Sequence, residues 1–169
     1  MEKKNIVLCG FMGSGKTTVG RLLGKLSGMN YVDLDRYIEK KYDTTIKKIF
    51  EEHGEDYFRD LEYEATKELA QKHHHIIASG GGTLLFERNV EILKKNCVVV
   101  LLNVPLGTIK YRLRNDKKRP LLQRPDKEKV MEELYNARLP LYRKSADYVV
   151  NANKSPYAIV HDIMDLVLK

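Results

Sequence analysis

Gly10-Phe11-Met12-Gly13-Ser14-Gly15-Lys16-Thr17 decides how this chain is read. The stretch fits G-x-x-x-x-G-K-[ST], a loop whose backbone cradles phosphate. Asn5-Ile6-Val7-Leu8-Cys9 precedes it, a short apolar run that predicts a buried strand. After it, Val19, Leu22, Leu23 and Leu26 fall at helical spacing. Strand, glycine loop and helix in that order form the context the motif requires. The glycines let N–H groups turn inward as a nest for phosphate oxygens. The helix opening near Lys16 adds unpaired N–H groups and the positive end of its dipole. Gly13, Ser14, Gly15 and Thr18 are therefore candidate nucleotide contacts. Lys16 is placed for the β- and γ-phosphates, and the Thr17 hydroxyl for Mg²⁺.

Working outward, 169 residues suit one domain spanning 1–169, long enough to bury a core without staples. Apolar content of 43% and charged content of 31% fit a soluble globular protein. No apolar run reaches the length of a membrane span, so no membrane partner is expected. Met1-Glu2-Lys3-Lys4 leads straight into the first strand, and no signal peptide is expected. Cys9 and Cys97 lie in strand-like runs and read as core thiols, which predicts a cytoplasmic protein. The net charge of +7 could serve nucleic acid, but the lysines are thinly spread and no nucleic-acid signature is present. The expected partners are small molecules, and the expected state is a monomer.

The rest of the chain alternates strands and helices. Gly28 predicts a helix C-cap. Asn30-Tyr31-Val32-Asp33-Leu34-Asp35 reads as a short strand with two acids on one side, with Asp35 able to cap a helix from Arg36 to Tyr42. Two helices follow over 44–73, one striped by Ile46, Ile49 and Phe50, the other by Tyr57, Phe58, Leu61, Ala65, Leu69 and Ala70. Arg59 and Glu62 lie one turn apart, so Glu62 can orient the guanidinium; alone this reads as an ordinary surface pair. His73-His74-His75 has no partner at metal-ligand spacing. Ile76-Ile77-Ala78-Ser79 is a third strand, ending in Gly80-Gly81-Gly82, bare backbone that a ligand can approach closely.

Cys97 to Leu102 is the clearest buried strand, and Pro105 fits the first turn of the helix after it. The basic stretch 112–125, with Pro120 and Pro125 as stops, predicts a lid. Asp126 can cap a long helix through Val130, Leu134, Ala137 and Arg138. A strand at Tyr148-Val149-Val150 and a helix capped by Ser155-Pro156, lined by Ile159, Ile163, Leu166 and Val167, close the chain. This order predicts an α/β, three-layer P-loop sandwich: a five-stranded parallel sheet flanked by helices, like the nucleoside monophosphate kinases. Loops at the carboxyl ends of its strands would carry the site. The usual metal-binding acid on a later strand is missing, which leaves Asp33 as the candidate carboxylate for Mg²⁺.

Taken together, the motifs closely resemble the shikimate kinase family. Asp33-x-Asp35, Phe58-Arg59-x-x-Glu62, Gly80-Gly81-Gly82, Arg119-Pro120-Leu121-Leu122, Arg138 and Leu141-Tyr142-Arg143 occur in family order and spacing along essentially the whole chain. The resemblance implies transfer of the γ-phosphoryl group of ATP to the 3-hydroxyl of shikimate, with Mg²⁺, in aromatic amino-acid biosynthesis. It implies that Asp35 binds the ring hydroxyls and that Arg59 and Arg138 grip the carboxylate beside Gly81 and Gly82. Arg119 would reach the phosphates from the lid, with Arg112 and Lys154 beside adenine, and 36–62 would form the acceptor subdomain. Lys16, Arg119 and Asp33 would carry the chemistry, with Asp33 either a general base or an organiser of Mg²⁺. The alternatives are another small-molecule P-loop kinase, acting on gluconate or a nucleoside monophosphate, and a non-catalytic nucleotide- or nucleic-acid-binding protein.

Overall fold

The structure, a computed structural model, describes residues 5–169. Met1–Lys4, the run expected to lead directly into the first strand, lies outside the described residues. The strands are β1 (Asn5–Cys9), β2 (Asn30–Asp33), β3 (His75–Ala78), β4 (Cys97–Asn103) and β5 (Tyr148–Asn151). All pairings are parallel, in the order β2-β3-β1-β4-β5. The helices are α1 (Lys16–Ser27), α2 (Leu34–Tyr42), α3 (Ile46–His53), α4 (Glu55–Ala70), α5 (Glu87–Asn96), α6 (Leu106–Leu113), α7 (Lys127–Ser145) and α8 (Pro156–Val167). They flank the sheet, as the alternating pattern requires.

β1 is buried at every residue. That is the mark of a central parallel strand, and why its sequence runs apolar without alternation. The chain leaves β1 for β2 on one side, returns through β3, and then crosses to β4 on the other. The strand order therefore reverses beside β1, and a crevice opens at its carboxyl end. The residues that follow β1 there are the phosphate-loop glycines.

Local signals account for most boundaries. Gly28 ends α1 in the left-handed region (φ 78°), and Ser155 Oγ accepts from the Ala158 N–H with Pro156 opening α8. Several expectations are corrected. β2 stops at Asp33, and Asp33 rather than Asp35 caps α2, its Oδ1 accepting from the Arg36 N–H at 3.0 Å. Asp35 lies in the first turn of α2, not on the strand. Asp126 precedes α7 without a side-chain cap, because its two oxygens pair with Arg124 at 3.0 and 3.2 Å. Pro105 sits one residue before α6, in extended conformation. Leu26, Phe50, Tyr57 and Leu166, placed in apolar stripes, are exposed. Each lies at the rim of its helix's buried face, where spacing alone does not separate edge from core.

The largest departure is in α4. Its buried residues are Phe58, Glu62, Ala65, Thr66, Leu69 and Ala70, so Glu62 belongs to the core face and is 1% exposed. It is not the surface partner expected for Arg59. A buried carboxylate requires partners that replace its lost hydration. Glu62 has two, described below.

Candidate active site

The phosphate loop holds its glycines where side chains fit poorly: φ is 78° at Gly13 and 94° at Gly15. Gly15 precedes α1 and no side chain caps that helix, nor does any acid lie in its first turn. The N–H groups of the helix start are thus left to an anion. Lys16 Nζ donates to the Gly10 carbonyl at 2.6 Å and the Phe11 carbonyl at 3.4 Å, so the ammonium is held against its own loop. Burial is the main cause that lowers its pKa to about 8, partly opposed by Cys9, Asp35 and Asp33. Ser14 Oγ is buried without a partner.

Asp33 and Asp35 both open onto the cavity beside this loop. Burial pushes the Asp35 carboxyl up to about 6, with Asp33 and Glu62 adding to the rise. The third component is the turn after β3. Gly80 N–H donates to Thr83 Oγ1 at 2.9 Å, and Thr83 begins a 3₁₀ turn, Thr83–Leu85. The bare backbone has a definite use. A Cβ on Gly80 would fall 2.6 Å from Asp35 Oδ1, and one on Gly82 2.6 Å from Arg59 Nη1.

Arg59 is fixed on several sides. Its Nη1 donates to Glu62 Oε1 at 3.0 Å, Nε and Nη2 reach Glu55 at 3.4 Å, and the guanidinium lies over the rings of Phe58 and Phe86. Glu62 Oε2 accepts from the Thr83 hydroxyl at 3.0 Å. On the other side of the turn, Tyr142 Oη donates to the Gly81 carbonyl at 2.8 Å, and Arg138 Nη1 stands 3.7 Å from where a Gly81 Cβ would be.

A cavity of about 720 Å³ joins these parts. Gly13, Ser14, Gly15, Lys16, Thr17, Thr18, Asp33, Asp35, Gly81, Arg112, Arg119, Arg138 and Lys154 all line it. Arg59 and Gly82 are the sequence-expected residues outside that lining; the Arg59 guanidinium lies against Gly82, 2.6 Å from where its Cβ would be. Arg112 Nη1 donates to the Gly13 carbonyl at 2.9 Å, which ties the end of α6 to the phosphate loop. Arg119 pairs with Asp116, and Lys154 with Asp162.

The Thr17 hydroxyl and the Asp33 carboxylate are hard oxygen donors on one wall, which suits Mg²⁺. Among the described residues, no group of three or more His, Cys, Asp and Glu could hold a metal ion by itself. A cation here would therefore complete its shell with phosphate oxygens and water.

The sequence reading missed Glu62's burial, Thr83 and Tyr142. A signal existed for the first: Phe58, Glu62, Ala65 and Leu69 follow i, i+4, i+7, i+11, so Glu62 lies within the apolar stripe. Thr83 gave none, because its partner Glu62 is 21 residues away. Tyr142 was noted only as part of a motif.

The chain has clear relatives among known proteins. The family model for shikimate kinase matches residues 12–168. Shikimate kinase of Persephonella marina is 40% identical over 161 residues, covering 95% of this chain and 97% of its own. Shikimate kinase of Thermodesulfovibrio yellowstonii is 44% identical over 148 residues, covering 88% and 85%. The solved structure of shikimate kinase from Acinetobacter baumannii in complex with shikimate superposes with a TM-score of 0.90 at 40% identity, covering 98% of this chain and 93% of that one. With its parallel sheet, phosphate loop and arginine-backed glycine turn, the chain belongs to the shikimate kinase family.

Proposed function

We propose that this enzyme transfers the γ-phosphoryl group of ATP to the 3-hydroxyl of shikimate, giving shikimate 3-phosphate and ADP for aromatic amino-acid biosynthesis. The observation that carries the proposal is one cavity lined at once by the phosphate loop and by Asp35 and Arg138, with the Arg59 guanidinium against Gly82 of the adjoining glycine turn.

Each ligand meets the chemistry it needs. The N–H groups of Gly13, Gly15 and Thr18 face the nucleotide phosphates, with Ser14 lining the cavity between them, and Lys16 leaves the Gly10 carbonyl for the phosphates. Arg112 and Lys154 flank adenine. On the acceptor side, a carboxylate is best met by arginine's two-pronged donors, which lysine does not copy. Arg59 and Arg138 supply these, with Gly81 and Gly82 leaving room, and ionised Asp35 accepts from the ring hydroxyls. Phosphoryl transfer depends on positioning and charge neutralisation. Lys16 and Arg119 provide positive charge, and Arg119 arrives with the lid, 112–125. Mg²⁺, when bound through Thr17 and Asp33, neutralises charge on the phosphates. One domain, 1–169, does this work, with 36–62 as the acceptor subdomain.

The enzyme acts on small molecules as a cytoplasmic monomer, without nucleic-acid or membrane partners. Burial of both thiols, Cys9 and Cys97, supports the compartment, and no helix among the described residues is long and apolar enough to cross a membrane. A coupled ADP-release assay offering shikimate, gluconate and AMP in turn tests the substrate. Turnover is expected with shikimate; turnover with gluconate or AMP but not shikimate would overturn the proposal. Salt-sensitive oligonucleotide binding without phosphoryl transfer would favour the non-catalytic alternative.

A further inference from the structure

Behind the acceptor pocket runs a chain of hydrogen bonds that starts at the glycine turn and ends on Arg59. The Gly80 N–H donates to Thr83 Oγ1 at 2.9 Å, the Thr83 hydroxyl donates to Glu62 Oε2 at 3.0 Å, and Glu62 Oε1 accepts from Arg59 Nη1 at 3.0 Å. Thr83 is 0% exposed and Glu62 1% exposed, so water replaces none of these bonds. The threonine backbone is pinned as well: its carbonyl accepts from Asn89 Nδ2 of α5 at 3.0 Å, and its N–H donates to the Gly80 carbonyl at 3.4 Å.

We propose that Thr83 is a positioning residue for the phosphate acceptor: its hydroxyl ties the glycine turn to Glu62 and thereby sets the angle of Arg59. The inference rests on the acceptor being a carboxylate held by Arg59. A hydroxyl is the one small group that serves both ends of this chain, because it accepts from an amide and donates to a carboxylate with a single oxygen. Without it, the Gly80 N–H is an orphaned buried donor and Glu62 Oε2 loses the donor that fixes its rotation. The carboxylate plane then turns, and with it the guanidinium that Oε1 holds. The effect is directional. Glu62 holds Arg59 and Gly80 lies against Asp35, whereas Lys16, Thr17 and Arg112 share no hydrogen bond with this chain.

The test is steady-state kinetics of Thr83→Val and Thr83→Ser, with each substrate varied in turn, beside thermal melts of the same proteins. Val keeps the branched shape and removes the hydroxyl; Ser keeps the hydroxyl. Thr83→Val is expected to raise the shikimate KM about tenfold and to leave the ATP KM within about twofold, with Ser restoring most of the shikimate term. An unchanged shikimate KM in Thr83→Val, or an equal loss for both substrates, overturns the proposal, as does failure of Ser to rescue. Should Val fail to fold, Thr83→Ala is measured against the same Ser control and judged by the same split. In an Arg59→Lys background, Thr83→Val is expected to add less than about a twofold change, because the group it positions is gone; a full additive loss there also overturns it. If the wild-type enzyme does not phosphorylate shikimate, the substrate assignment itself has failed. If the wild type turns over and Thr83→Val is silent, the positioning role alone has failed.

Discussion

Gly82→Ala offers a clean way to disturb the acceptor site without touching a charged residue. Gly82 has φ −109° and ψ 0°, angles open to any L-residue, so alanine adds no backbone strain. The methyl would lie 2.6 Å from Arg59 Nη1, 2.7 Å from Nη2 and 2.9 Å from Cζ. Ordinary contact begins near 3.4 Å, so the guanidinium must retreat by about 0.8 Å (3.4 less 2.6). Its plane is bounded by the Phe58 and Phe86 rings and by the buried Glu62, so the retreat breaks the bond to Glu62 or spoils the angle at which the two prongs meet a carboxylate. Losing one charge-assisted hydrogen bond costs about 1.5–3 kcal/mol, or about 10- to 150-fold in affinity. The expected result is a shikimate KM raised by that factor, an ATP KM within about twofold of wild type, and a thermal midpoint shifted by no more than about 4 °C. A Gly82→Ala enzyme with wild-type shikimate KM would refute the assignment of Arg59 to the acceptor carboxylate. Equal losses for both substrates would show that the turn acts on the whole fold.

Four further outcomes are expected. Asp33→Asn should lower kcat by about 10²–10⁴ while leaving α2 intact, since asparagine also caps helices well; a full-rate variant would remove Asp33 from the chemistry. The pH profile should show two limbs. Shikimate kcat/KM falls below about pH 6, where Asp35 takes up a proton, and ATP kcat/KM falls above about pH 8, where Lys16 loses one; limbs at the ordinary carboxylate and ammonium values would contradict both assignments. The stability sign follows from the same shift. Because the folded Asp35 carboxyl binds its proton more tightly than the unfolded one, stability falls as pH rises from about 4 to about 6, and the cost is fully present above that. Asp35→Asn should therefore raise the melting temperature at pH 7.5 and lose that advantage below pH 4, an outcome read by calorimetry. Lastly, proteolysis within 112–125 should slow when ATP analogue and shikimate are both present; equal cleavage rates would argue against a closing lid.

The parallel sheet, the phosphate loop and most helix limits follow from local signals: an unbroken apolar strand, a glycine loop, a serine–proline start, a glycine stop. What resisted reading has a common physical cause. Asp33 and Asp35 compete for one cap, and a strand pattern assigns both acids to the strand although the chain turns helical at Leu34. Asp126 is a good capping residue by type, but Arg124 two positions away takes its oxygens. Glu62 resembles a surface ion-pair partner until Thr83 arrives from the turn after β3 to make its burial tolerable. In each case a side chain's fate depends on a competitor or partner that spacing does not reveal. The acceptor side is richest in such pairs, which is why resemblance supplied its residues and geometry was needed for their arrangement.

Cys9 gives this fold an internal clock. It ends β1, the central strand, at 0% exposure, and burial pushes its thiol up to about 12. Buried and held un-ionised at pH 7, the thiol meets an alkylating reagent only in molecules whose sheet has parted. The labelling rate in native buffer thus counts openings of the strand that carries the phosphate loop. A nucleotide that grips that loop stabilises the closed form by mass action, so the slowing of Cys9 alkylation with added ATP would report occupancy of the loop with no turnover required.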